Sequence, residues 1–191
     1  PTPGVGNAGY VSNYVDNEIM NYLPFDDSVA DVTGNNTTAN GTISYTQGYF
    51  GKAVTLNTGY VSILEHNPGT ESFTVSFWLR TEGLHTGKYS DPVIYGNGNW
   101  NASKTPGHLF YYQDDVLGFN VGSGDGVYRQ KETTPANCTG QWKHCLVVYD
   151  RELGQMRIIY DFDTKNSYSF NYTSKVKDVT FTLSYPLNIG D

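Results

Sequence analysis

The sequence predicts an all-β protein, an antiparallel two-sheet β-sandwich. Three observations predict it. Short apolar runs recur along the 191-residue chain, punctuated by Gly, Asn, Asp and Pro, with almost no helical period. The composition is 15% aromatic with 16 Tyr and 21 Gly, but only 16% charged, which favours strands and turns over helices. The run SFTVSFWLR alternates strictly. Phe73, Val75, Phe77 and Leu79 fall on one face and Ser72, Thr74, Ser76, Trp78 and Arg80 on the other.

The elements follow in chain order. Residues 1–18 carry no period and read as a lead-in; residues 19–191 read as one domain. EIMNYLPF predicts a first strand broken by Pro24, and DDSVADVTGNNTTANG a long polar loop. TISYT, KAVTLN and GYVSILE predict three short strands, with turns at QGYFG and NTG. After SFTVSFWLR and the loop TEGLHTGKYSD comes PVIYGN. Pro92 opens it, where a missing N–H is tolerated, and Val93 and Tyr95 face opposite to Ile94. HLFYYQ, VLGFNVG and GVYRQKE follow. WKHCLVVYD reads as a central strand that turns through ELG into QMRIIYDFD, and SYSFNYT, VTFTL and YPLNIG complete the set.

Charge narrows the function. The net charge is −7, the pI about 4.9, and Lys and Arg do not cluster, which argues against nucleic acid and anionic membrane surfaces as partners. The chain has no apolar run long enough to insert in a membrane as a helix. PTPGVGNAGY lacks the features of a signal peptide, and a chain beginning at Pro1 reads as part of a larger protein. Cys145, in CLVVY, reads as a buried thiol; a short-loop disulfide to Cys138 stays open. Asn35, Asn36, Asn40, Asn101, Asn137 and Asn171 head Asn-X-Ser/Thr sequons, glycan acceptors only in a eukaryotic secretory setting.

Catalysis finds little support. Glycoside hydrolysis needs two carboxylates about 5 to 10 Å apart across a cleft. No pair of Glu residues has strand-alternating spacing, and the close pair Asp161/Asp163 falls at a turn. YDFDTKN lacks the register of a lectin metal strand and the glycine of an EF-hand loop. HExxH, GxSxG and phosphate-loop motifs are absent, and the four His are scattered. Calcium is better served, because it takes six to eight oxygens from carboxylates, Asn side chains and carbonyls. Asp31, Asp91 and Asp125, in loops rich in Asp and Asn, are the candidate ligands; Asx-turns are the structural alternative. Sugar recognition combines aromatic faces with Asn, Asp and Arg, which selects Asp91, Asn97, Asn99, Trp100, Asp125, Tyr128 and Arg129.

The order YLPFDDSVADVTGN, GYFGKAVTLNTGYVSI, SFTVSFWLRTEG, QWKHCLVVYDRELG and LNIGD resembles laminin-G-like domains of the concanavalin A-like lectin/glucanase fold. The blocks SDP, NGNW and GDGVYR resemble a bacterial subgroup of carbohydrate-binding modules. The resemblance implies a jelly-roll sandwich and a non-catalytic glycan-binding module of a larger secreted or cell-surface protein. The alternative is a protein–protein adhesion or spacer domain of a surface or phage-fibre protein. The resemblance also implies a closing strand beyond Asp191, so the last strand is expected to be lacking or separate.

Overall fold

The computed structural model describes residues 19–64, 68–82, 93–97, 106–113, 116–123, 128–135, 138–160, 168–171, 181 and 186–190. Its elements are β1 (Thr37–Asn40), β2 (Ile43–Gln47), β3 (Lys52–Leu56), β4 (Tyr60–Ile63), β5 (Phe73–Leu79), β6 (Val93–Gly96), β7 (Pro106–Gln113), β8 (Val116–Ser123), β9 (Tyr128–Pro135), β10 (Lys143–Asp150), β11 (Gln155–Tyr160), β12 (Tyr168–Asn171) and β13 (Leu187–Ile189). Every strand pairing between them described below is antiparallel. Two compact units divide the chain, one made of Pro1–His66 with Pro186–Asp191, the other of Asn67–Tyr185.

In the first unit β4 lies between β1 and β13, with Ile63 opposite both Thr37 and Leu187. The expected YPLNIG strand is therefore present as β13. Among the described residues of this unit, Val61, Ile63 and Leu187 are the buried apolar side chains. β2 and β3 form a separate hairpin, paired from Ile43↔Leu56 to Gln47↔Lys52.

Two expectations here are corrected. Ile19–Phe25 forms no strand, because its polar groups bond sideways into the following loop rather than to a ladder. Conversely, the polar loop contains β1, whose Thr-rich sequence suits an edge strand with one half-exposed face.

The second unit is the sandwich. One sheet runs β6-β7-β8-β9 and the other β12-β11-β10-β5. SFTVSFWLR keeps its expected alternation as β5, whose Phe77 meets Tyr95 of β6 edge-on at 5.8 Å and Phe110 of β7 at 5.3 Å. Phe73 stacks on Tyr149 of β10 at 5.3 Å, and Phe181 stands edge-on to both. Of VTFTL only Phe181 is described; it is buried and tied by its N–H to the Gly69 carbonyl at 2.9 Å. Interlocked rings of this kind fill the space between the sheets with a large apolar area.

The expected alternation of β6 is corrected. A bulge between Val93 and Tyr95 makes Val93 pair with Tyr111 and Tyr95 with Phe110, so the two side chains leave on opposite faces. Gly118 on β8 accommodates Tyr111, whose ring would collide with any Cβ there. The ELG turn closes β10 to β11 as expected. Gly154, at φ +63°, donates to the Arg151 carbonyl, and the Leu153 N–H is taken by Asp150 Oδ1 at 2.9 Å. Cys138 and Cys145 are both buried and are not joined in a disulfide.

Candidate functional site

Most of the sequence-selected ligand residues fall where little is described. Asp91, Asn99, Trp100 and Asp125 lie outside the described residues, as does the Asp161/Asp163 pair. Tyr128 and Arg129 begin β9, where Tyr128 pairs with Gly122 at a register shift. Asn97 is described and is 4% exposed. Its Oδ1 accepts from the His108 N–H at 3.0 Å while its own N–H donates to the His108 carbonyl at 3.1 Å. The side chain thus closes the end of the β6–β7 ladder and satisfies a buried backbone group.

Asp31 is the hub of a loop. Its Oδ1 accepts from the N–H groups of Tyr22 at 2.9 Å and Thr33 at 2.8 Å, and from the Thr33 hydroxyl at 2.7 Å. Its Oδ2 accepts from the amides of Asn21 at 2.8 Å and Asn35 at 3.1 Å. Burial alone would raise this carboxyl; the donors outweigh it and hold the pKa below the usual carboxylate range. With five donors aimed at two oxygens, Asp31 already has its charge compensated in this arrangement, which does not fit a calcium ligand. Among the described residues no group of three or more His, Cys, Asp or Glu gathers to hold a metal.

In the sandwich, a serine and a histidine meet on the outer face of β5 and β10. Ser76 Oγ is 3.0 Å from His144 Nε2, and the His144 ring stands 5.1 Å from that of Trp78. The Trp78 contact packs the His144 ring against β5. Between the sheets, burial pushes the Tyr95 phenol well up, with Cys145 adding to the effect, so it is neutral at any physiological pH.

Sequence reasoning missed the tip of the β2–β3 hairpin, which it read as a plain turn. Tyr49 and Phe50 stand there between Gly48 and Gly51, 51% and 61% exposed, edge-to-face with centroids 4.7 Å apart. The backbone beneath them is fastened. Gly48 N–H donates to the Gly51 carbonyl at 3.0 Å, and Gln47 Nε2 donates to the same oxygen at 2.9 Å. Asp26 Oδ1 accepts from the Lys52 N–H at 2.8 Å. Gly51 has φ +57°, and a Cβ there would lie 2.5 Å from Asp26 Oδ1. Asp26 is in turn bracketed by Phe25 at φ 58° and Asp27 at φ 55°, both in the left-handed region. Such residues cost on the order of 1–3 kcal/mol each and persist only where their surroundings determine them. The signal in the sequence was two large aromatics confined between glycines, in a turn that needs neither.

The antiparallel sandwich of two sheets with interleaved aromatic cores defines the class: a jelly-roll, lectin-like β domain. The chain belongs to the concanavalin A-like lectin/glucanases superfamily, through a laminin-G family model that matches residues 55–191. No curated protein matches the chain. Among solved structures it is similar to the binding domain of botulinum neurotoxin DC in complex with rat synaptotagmin II, at 13% identity and TM-score 0.66. That likeness covers 90% of this chain and 43% of the other. It is also similar to a structure titled for the dependence of botulinum neurotoxin type C cell entry on two ganglioside molecules. There the identity is 12%, the TM-score 0.63, and the coverage 90% of this chain and 42% of that one. The chain thus spans less than half of either structure, and likenesses at this identity establish the fold.

Proposed function

We propose that this chain is a non-catalytic glycan-binding module of a larger secreted or cell-surface protein. Membership of a lectin and glucanase superfamily carries the reading. No two Glu residues alternate along a strand and the Asp161/Asp163 pair is expected at a turn, which favours binding over the paired-carboxylate chemistry of a glucanase. One similar structure is titled for gangliosides, which are glycolipids, and this supports a sugar as the ligand class. Asp91, Asn97, Asn99, Trp100, Asp125, Tyr128 and Arg129 are the aromatic and hydroxyl-binding residues of this reading. On a glycan array, the chain binds at millimolar ligand or tighter and Trp100→Ala weakens that binding. An array on which the chain retains nothing overturns the proposal.

Calcium belongs to this reading as a stabilising ion on the Asp91 and Asp125 loops. Binding to the folded state alone raises its stability by mass action, so Tm is expected to rise in millimolar calcium against EDTA. An unchanged Tm removes the ion from the reading.

A second reading, a protein-adhesion module, has an observation of its own. Ile19, Met20, Val32, Tyr49, Phe50 and Leu64 are exposed, so that residues 19–64 hold all but Leu153 of the large exposed apolar side chains described. Another similar structure is a complex with a protein, synaptotagmin II. Retention of a protein partner by a chain that retains no sugar would select this reading.

A further inference from the structure

The chain contains two Asn-Gly pairs, Asn40–Gly41 at the end of β1 and Asn97–Gly98 after β6. We infer that Asn40 is a site of spontaneous covalent modification, where the side-chain amide is lost through a cyclic imide formed with the Gly41 nitrogen, and that the fold protects Asn97 from the same reaction.

The reaction needs only the chain and water. The Gly41 amide nitrogen gives up its proton to hydroxide and attacks Asn40 Cγ. A new N–Cγ bond closes a succinimide ring, the bond from Cγ to Nδ2 breaks, and that nitrogen leaves as ammonia. Water then opens the ring at either carbonyl, leaving aspartate or isoaspartate and one more negative charge on a chain at −7. A side chain on the following residue would crowd the attacking nitrogen, and glycine has none. The fold itself demands that glycine. Gly41 has φ +70°, and a Cβ there would lie 2.5 Å from the Thr58 carbonyl oxygen. The turn from β1 to β2 therefore keeps the reactive pair together.

The two asparagines are held very differently. Asn40 is half-buried, ends a four-residue strand at the edge of its sheet, and is followed by exposed Gly41 and Thr42. Its Nδ2 reaches the Thr38 carbonyl and hydroxyl at 3.4 Å each and Ser62 Oγ at 3.3 Å. All three are longer than a well-made N–H···O bond, so little restrains the amide from turning toward Gly41. The end of an edge strand is also where local opening costs least. Asn97 is 4% exposed, and its Oδ1 and N–H are both engaged by the His108 backbone, at 3.0 and 3.1 Å. Its Cγ is thereby fixed within the β6–β7 ladder.

Modification reaches beyond β1. A carboxylate donates nothing to Ser62 Oγ, which in turn donates to Asn188 Oδ1 of β13 at 2.8 Å. Isoaspartate also lengthens the main chain at the Asn40↔Tyr60 pair, so β1 loosens from β4.

The experiment ages the whole chain, produced in bacteria so that the Asn40 sequon stays bare, at mildly alkaline pH, folded and in parallel unfolded in denaturant. Peptides are mapped by mass spectrometry, with enzymatic methylation to mark isoaspartate. The unfolded chain is expected to convert both sites at similar rates, and the folded chain to convert Asn40 about tenfold or more faster than Asn97. Asn40→Gln, whose longer side chain closes its ring far more slowly, is expected to remove the conversion and keep the wild-type Tm. A folded chain that keeps its Asn40 amide while the unfolded chain loses both overturns the inference. Equal conversion of the two sites in the folded chain overturns the protection of Asn97. The aged fraction, separated by its added charge, is expected to exchange its β1 amides faster than the fresh chain; unchanged exchange overturns the loosening of β1.

Discussion

Asp31 shows how a residue selected for one chemistry can be committed to another. An oxygen-rich loop suggested a cation, yet the carboxylate faces five donors from Asn21, Tyr22, Thr33 and Asn35. Asp31→Ala would leave the Tyr22 and Thr33 N–H groups without their acceptor. Buried groups left unpaired cost roughly 1–3 kcal/mol, so a loss of about 2 kcal/mol is expected in denaturant unfolding of this unit. The pH dependence has a definite sign. The carboxyl titrates lower in the folded chain than in the unfolded one, so the unfolded chain binds the proton more readily. The stabilisation is complete above the ordinary carboxylate pKa, near pH 4, and is lost as the pH falls through the lowered value. Asp31→Asn is expected to flatten that acid limb; a limb of unchanged slope in the variant would show that other carboxylates set it. Asn97 teaches the same lesson in the sandwich. Its place in a Gly-Asn-Gly loop was legible, but not that its side chain would continue the β6–β7 ladder through His108.

Strands with period two were legible because burial of one face is a local constraint that repeats along the chain. SFTVSFWLR, WKHCLVVYD and the ELG hairpin appear as β5, β10 and the β10–β11 turn, β5 with its expected alternation. The elements that differ are set by distant partners. β1 is a strand because β4 offers it an edge, from Thr37↔Ile63 to Asn40↔Tyr60, which a run of Thr and Asn does not announce. The Ile19–Phe25 segment has the composition of a strand, but Asp31 captures its Asn21 amide and Tyr22 N–H. The β6 bulge reverses the side of Val93 relative to Tyr95, and its place is fixed by Tyr111 and Phe110 across the ladder. The aromatic tip is an intermediate case. Its glycines were read correctly as a turn, but the carboxylate that fastens it comes from a loop 26 residues away. Candidate site residues were therefore legible as types and as loops, while their mutual placement depends on pairings no local pattern encodes.

At the scale of the whole molecule, apolar burial is divided unequally between the two units. Among the described residues, Val61, Ile63 and Leu187 are the buried apolar side chains of the first, whereas the second buries Phe73, Phe110, Tyr112, Phe119, Tyr149, Ile158, Phe181 and others. Burying such a side chain is worth about 1.5–3 kcal/mol, so the second unit holds the larger apolar stabilisation. The first is held more by polar knots, at Asp31 and at Asp26, whose individual net contributions are near 1 kcal/mol. Local opening follows the density of buried apolar contacts. Amide hydrogen exchange is therefore expected to be slowest at Leu117, Phe119, Val147 and Ile158, and faster by orders of magnitude in β2 and β3. The hairpin's own amides should show the division most clearly, since its ladder is a lone pair of strands whose side chains are exposed or only half-buried. Equal protection in the hairpin and in β8 would mean that the two units open only together, and that the apolar imbalance does not set the order in which the chain loosens.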